Sequence, residues 1–235
     1  KGHVAVLAVL GNSQGIDTQA DRALLDQLPD AQITLLVEPS RQELTDRLWE
    51  QPWDILFFAG HSSSRTDGET GEVSINQTDR LSLNQLERGL KLAIFNSCDG
   101  LGLARELADL HIPQVIVMRE PVPDPVAQAF LRYFLQSFSA GESLYTAVRQ
   151  ARERLQALEN QFPCATWLPI LCQNPAELPP TWQEMVRGKA EAKRQKAEET
   201  AAAPSPAPST ALPLAIALSL AITALISGVR YLGWL

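Results

Sequence analysis

Six short apolar runs, separated by segments of helical period, constrain this chain more than anything else in it. They are HVAVLAVLG (3–11), AQITLLV (31–37), DILFFAG (54–60), KLAIFNSC (91–98), PQVIVM (113–118) and TWLPILC (166–172). Runs this short and this apolar read as strands buried on both faces. Helices fill the gaps. DTQADRALLDQL (17–28) sets Ala20, Ala23, Leu24 and Leu28 on one side, and SRQELTDRLWEQ (40–51) opens on Ser40 as N-cap with Glu43 three residues on. GLGLARELADL (100–110) follows the fourth run, and two helices over about 124–139 and 142–159 precede the last. Repeated βαβ units imply a mainly parallel sheet covered by helices on both faces, with right-handed crossovers. Residues 68–82, GETGEVSINQTDRLS, are polar, glycine-punctuated and alternating, and read as a small hairpin projecting from that sheet.

A chain of 235 residues with 45% hydrophobic and 20% charged side chains buries one substantial core rather than two. Its net charge of −7 is divided: residues 1–186 carry 14 Lys+Arg against 24 Asp+Glu, a charge of −10, and residues 187–235 carry 6 against 3, a charge of +3. An acidic body argues against nucleic acid as a partner. The chain opens on Lys1, not methionine, so a fragment of a longer protein with upstream regulatory domains is the expectation. Cys98, Cys164 and Cys172 show no metal-ligand spacing and no disulfide framework, so neither metal nor cofactor is called for. Free thiols fit a reducing compartment. If ATWLPIL is a strand, the eight steps from Cys164 to Cys172 at about 3.3 Å put the two some 26 Å apart, out of disulfide reach.

The organisation expected is a domain over 1–178, a charged and then Pro/Ala-rich linker over 179–210, a transmembrane helix over 211–229 and a short tail over 230–235. ALPLAIALSLAITALISGV (211–229) contains no charge, and as a helix it is about 28 Å long, close to the hydrocarbon thickness. Lys189, Lys193, Arg194 and Lys196 precede it and only Arg230 follows, which places the folded body on the cytoplasmic side of a single-pass anchor.

Ligand crevices of open parallel sheets lie beyond the carboxyl ends of the strands. His61 directly follows DILFFAG, and Cys98 ends KLAIFNSC. If those strands are neighbours, about 4.8 Å apart, imidazole and thiol emerge on one edge and form a dyad. A nearby histidine and the NH groups of a following helix start, here DGLGLAREL, both favour the thiolate, whereas Asp99 opposes it unless it caps that helix. Inert packing of Cys98 and a solvated His61 are the plainer alternatives. The serines of GHSSS do not complete G-x-S-x-G, and GNSQG (11–15) lacks the glycine pattern of a nucleotide loop. Ser62, Ser63 and Ser64 read as solvated loop serines, with shaping of the turn or hydrogen bonds to substrate as the alternative, and Asn96 and Ser97 as satisfying neighbouring backbone. His3 and His111 fall at the opposite edge and read as surface residues.

GNSQGIDTQADRALL, WDILFFAGHSSS, LAIFNSCDGLGLARELADLHIPQVIVMREPVPD, AQAFLRYFLQSFSAGESLYTAVRQARERL and CATWLPIL, in this order, resemble the CHAT-domain family, caspase-like proteins related to separase, over about residues 1–175. The resemblance implies a caspase-haemoglobinase α/β sandwich and a cysteine endopeptidase with His61 and Cys98 as its dyad. It further implies an oxyanion site formed by the backbone NH groups of Cys98 and Ser62. The segment LSLNQLERGL before KLAIF is shorter than the helix and turn usual there. Asp124 resembles an acidic specificity residue of separases, with Glu120 nearby, which implies a pocket for a basic side chain before the scissile bond. Standing before Pro125, it reads equally as a helix N-cap. The alternative function is a catalytically silent CHAT module acting as a membrane-anchored signalling or interaction scaffold.

Overall fold

The computed structural model describes residues 2–12, 18–64, 71–82, 89–97 and 112–202. Strands β1 (Val4–Leu10), β2 (Ala31–Val37), β3 (Ile55–Gly60), β7 (Leu92–Ser97), β8 (Gln114–Met118) and β9 (Pro169–Gln173) form one sheet in the order β2-β1-β3-β7-β8-β9. All neighbours are parallel except β8 and β9. In β1, Val4, Val6, Ala8 and Leu10 face one core while Ala5, Leu7 and Val9 face the other. Two-sided burial is why its sequence is continuously apolar. The outer strands depart from that expectation. In β2 only Leu36 is fully buried and Val37 is exposed, and in β9 only Pro169 is buried, because each has a neighbour on one side alone.

Helices cover both faces, as the alternation requires. On one face lie α1 (Thr18–Leu25), α3 (Asp124–Ser139) and α4 (Leu144–Arg154), with Phe130, Phe134 and Phe138 stacked at the helical spacing of four against Phe57 and Ile94. On the other, α2 (Arg41–Glu50) presses Leu44 and Leu48 against Leu7, Phe58 and Phe95. The Ser40 N-cap is in place, with its hydroxyl accepting from Glu43 N at 3.2 Å. The α1 face differs from its expected one: Ala23 is exposed, and the fully buried residues are Leu25 and Asp21. The expected 100–110 helix and most of LSLNQLERGL lie outside the described residues.

The projecting hairpin exists as β5 (Gly71–Ser74) and β6 (Arg80–Ser82), antiparallel. Asn76 builds its turn by accepting from Thr78 N and Asp79 N, and buried Val73 and Ile75 pin it to the core. A third strand joins it. Ser62–Ser64, expected as a loop, is β4 and pairs antiparallel with β5.

The last strand begins later than expected: Ala165–Trp167 is a 3-10 turn, entered through Cys164 at φ 69°, and the extended chain starts at Pro169. The extended span assumed between Cys164 and Cys172 is therefore absent, although both thiols are free.

The compact unit runs through Arg194, past the expected boundary at 178. Helix α5 (Trp182–Ala202) forms where a linker was read, opened by a reciprocal cap in which Glu184 accepts from Thr181 N at 2.8 Å and Thr181 Oγ1 accepts from Glu184 N at 3.3 Å. The backbone bond from Thr181 holds the Glu184 carboxyl below its usual range. Trp182 and Met185 are buried; the indole meets Phe138 edge-on at 5.9 Å and donates to Pro29 O at 3.1 Å. Lys189 then reaches the buried Asp54 carboxylate at 3.5 Å and Pro52 O at 2.9 Å. Asp54 also meets Lys91 at 3.0 Å and accepts from Ala5 N at 2.9 Å, so one acid ties the amino ends of β1, β3 and β7 to α5. The second unit, from Gln195 onward, is described only as the end of α5. Segment 211–229 lies outside the described residues, and no helix within them is long and apolar enough to cross a membrane.

Candidate active site

β1, β3 and β7 run parallel side by side, so their carboxyl ends open onto one edge. The last rows are in register: Leu10 is level with Ala59, Ala59 with Asn96, and Gly60 with Ser97. His61 is the next residue of the chain after β3, and Cys98 the next after β7. Cys98 lies outside the described residues.

Two glycines let the small sheet close over this edge. Gly60 has φ 155°, and a Cβ there would stand 3.1 Å from the Phe58 ring and 3.2 Å from Gly11 Cα. A Cβ on Gly11 would collide with Ser74 O. Only residues without side chains allow β3 to turn into β4 while Ser74, at the end of β5, lies against the residues that follow β1. Ser74 fastens the arrangement, donating its NH to His61 O at 2.9 Å and accepting from Asn12 N at 3.1 Å. His61 is half-buried between these anchors. Its backbone is fixed from the β5 side.

Ser62 begins β4, level with Val73. It stands at the start of a strand and not in the loop expected for it.

Asn96 is 7% exposed and Asp21 is 1% exposed. The Asn96 amide donates to the Asp21 carboxylate at 3.2 Å across 75 residues of sequence. Its Oδ1 has no hydrogen-bond partner among the described residues. The pair lies in the face whose other members are Leu10, Ala59 and Ile94. Asp21 was not a candidate on sequence, since an acid beside Arg22 reads as a solvated helix face. Asn96 does more than satisfy neighbouring backbone.

Glu120 and Asp124 follow the carboxyl end of β8 and so share the edge of the proposed dyad. Glu120 is exposed and Asp124 half-buried. The N-cap of α3 is Pro123, with no side-chain cap, so Asp124 is the first helical residue and Pro125 the second. The N-cap account of Asp124 is thereby replaced by a milder one, a carboxylate in the favourable first turn of a helix. His3 is exposed, as expected, and His111 lies outside the described residues.

The family model of the CHAT domain matches residues 7–184. No curated protein matches the chain. Among solved structures, the Arg-specific cysteine proteinase gingipain R superposes with a TM-score of 0.54 at 12% identity, covering 75% of this chain and 47% of that one. The chain thus corresponds to about half the length of that proteinase, and at this identity the likeness is one of fold. Caspase-1 from Spodoptera frugiperda matches with a TM-score of 0.46 at 12% identity, covering 73% of this chain and 87% of that one.

Proposed function

This chain belongs to the CHAT-domain family, with three quarters of its length inside the family match, and from that premise we propose that it is a cysteine endopeptidase using a His61/Cys98 dyad. The observation that supports this best is the register of β3 against β7. The pairs Ala59–Asn96 and Gly60–Ser97 are level, and the next residue of each chain segment is a histidine and a cysteine. In this reading the Cys98 thiolate attacks the scissile carbonyl carbon and the C–N bond breaks as His61 delivers a proton to the leaving amine. Water, deprotonated by the same imidazole, then releases the acyl group from sulfur. Backbone NH groups of Cys98 and Ser62 hold the developing oxyanion. The Arg specificity of gingipain R and the two acids beyond β8 suggest cleavage after a basic residue.

Capture of new protein termini from a cell extract, with wild type and Cys98→Ala side by side, tests the activity. Termini that appear with wild type alone support it. Identical sets sink it and leave the silent scaffold.

Specificity has its own test. Asp124→Asn should change stability by no more than about 1 kcal/mol, the scale of a first-turn helix charge. Cleavage after Arg or Lys in a peptide library should fall about tenfold, one charge-assisted contact being removed. A wild-type preference for acidic or apolar residues at that position would rule out the pocket.

We also propose that 211–229 anchors the protein, with its folded unit on the cytoplasmic side. Lys189, Lys193, Arg194 and Lys196 lie on its near side and only Arg230 on the far side, which supports this orientation. The full chain should stay in the membrane pellet through carbonate extraction, and a chain ending at residue 202 should be released. Quantitative extraction of the full chain would refute the anchor.

A further inference from the structure

Among the described residues β9 ends the sheet, and its outer side is open. Arg119 N donates to Leu168 O and Asn174 N to Pro113 O, both at 2.8 Å, so by the alternation of an antiparallel ladder Leu168, Ile170, Cys172 and Asn174 face β8. Pro169, Leu171 and Gln173 turn their peptide groups outward, where they have no backbone partner among the described residues. Proline fits at 169 because the N–H it lacks would point away from the ladder. A cavity of about 660 Å³ runs beside this edge, between β9 and α4, and Val148 and Leu171 supply apolar lining. At one end the Tyr145 hydroxyl donates to Gln173 Oε1; at the other, half-buried Arg152 donates Nε to Thr166 O at 2.9 Å. That bond fixes the guanidinium and leaves its two terminal nitrogens without a partner among the described residues. Arg149 is answered by Glu153 at 3.6 Å, whereas Arg152 forms no ion pair among the described residues. In a body of charge −10, the cavity therefore presents one uncompensated cation.

We propose that this edge is a docking site for an extended segment of a partner polypeptide, which adds as a further strand outside β9 and sets an acidic side chain against Arg152. The outward N–H and C=O groups of Leu171 and Gln173 call for an extended backbone, which a small anion does not supply. A guanidinium held by its Nε offers its remaining donors to a carboxylate. Every second side chain of the added strand falls on the α4 side, so apolar residues two away from the acid meet Val148 and Leu171. None of these residues belongs to the proposed dyad, and the site serves a peptidase and a silent scaffold alike.

The test pans a library of random octapeptides against the full chain, titrates the selected peptide by fluorescence anisotropy, and follows amide hydrogen exchange along β9 residue by residue. The selected peptides should carry Asp or Glu with apolar residues two positions away. In the free protein Leu171 and Gln173 should exchange fast and Ile170 and Cys172 slowly; the peptide should slow the first two and leave the others unchanged. Arg152→Ala should weaken binding about tenfold or more, the scale of a hydrogen bond to a charged group. That variant also releases Thr166 O, so the same loss is sought against the unaltered protein with the peptide's acid replaced by its amide. Gln173→Pro removes one outward N–H and spares the β8 ladder, and should weaken binding several-fold more than Gln173→Ala. Failure to select a peptide, selection of peptides without an acid, or binding that leaves Leu171 and Gln173 in fast exchange overturns the proposal. Slow exchange at those two amides in the free protein, lost on dilution, would put a second copy of the chain on this edge and overturn it equally.

Discussion

Trp182→Ala is expected to destabilise the folded unit by roughly 3 to 5 kcal/mol, the range for removing a large buried aromatic. The indole is 3% exposed, meets Phe138 edge-on and donates to Pro29 O, so the substitution opens a cavity, loses an aromatic contact and orphans a carbonyl. For a domain of this size the melting temperature should fall by on the order of 10 °C. A deletion carries the same argument further. A chain ending at residue 178 loses Trp182, Met185 and the Lys189 arm together and should fail to fold cooperatively, whereas one ending at 202 should melt as a single transition. Equal melting temperatures for the two truncations would show that α5 contributes nothing to the core.

His61→Ala is expected to lower proteolysis by about 10²- to 10⁴-fold, the usual contribution of a positioned general acid–base, and to slow iodoacetamide at Cys98. In the wild type Cys98 should react ahead of both other thiols. Burial pushes the Cys172 thiol up, which makes it the slow internal standard, while Cys164 is exposed and supplies the rate of an unassisted thiol. Equal rates at all three cysteines would remove the activated thiolate. Reactivity at Cys98 unaffected by His61→Ala would detach the imidazole from it and favour the scaffold reading.

What the sequence reveals and what it conceals divide along physical lines. β1, β3, β7 and β8 are legible because two-sided burial demands an unbroken apolar run, and HVAVLAVLG has no other use. That the run before His61 and the run before Cys98 form strands was likewise readable, and β3 and β7 are parallel neighbours. Asp21 was not. Hydrophobic periodicity assigns every acid to the solvent face, and Asn96, which donates to it, is 75 residues away. Ser62–Ser64 became a strand because β5 offered an edge to pair with, and serine carries no preference that would announce it. TWLPILC could not be divided into a 3-10 turn and a strand by composition alone, since both bury the same residue types. α5 had a readable signal that charge and alanine content obscured: Thr181 and Glu184, three apart, form the cap of a helix, and Trp182 and Met185 lie on one face behind it.

The attachment of α5 also has a mechanical consequence. Lys189 sits nearer the C-terminal end of the helix than Met185 and Trp182, and a load arriving along the chain from residue 202 meets these contacts one at a time, not all together. Lys189 parts from Asp54 first, at the foot of β1, β3 and β7. The packing of Gly2 against Ala190 opens in that same step, that against Val186 follows, and Trp182 against Phe138 gives way last. Such peeling takes less force than shearing the same contacts at once, and its first step discharges the ionic lock at the end of the sheet opposite His61. Tension on the tail is thus read at the base of the strands before the core behind His61 is disturbed.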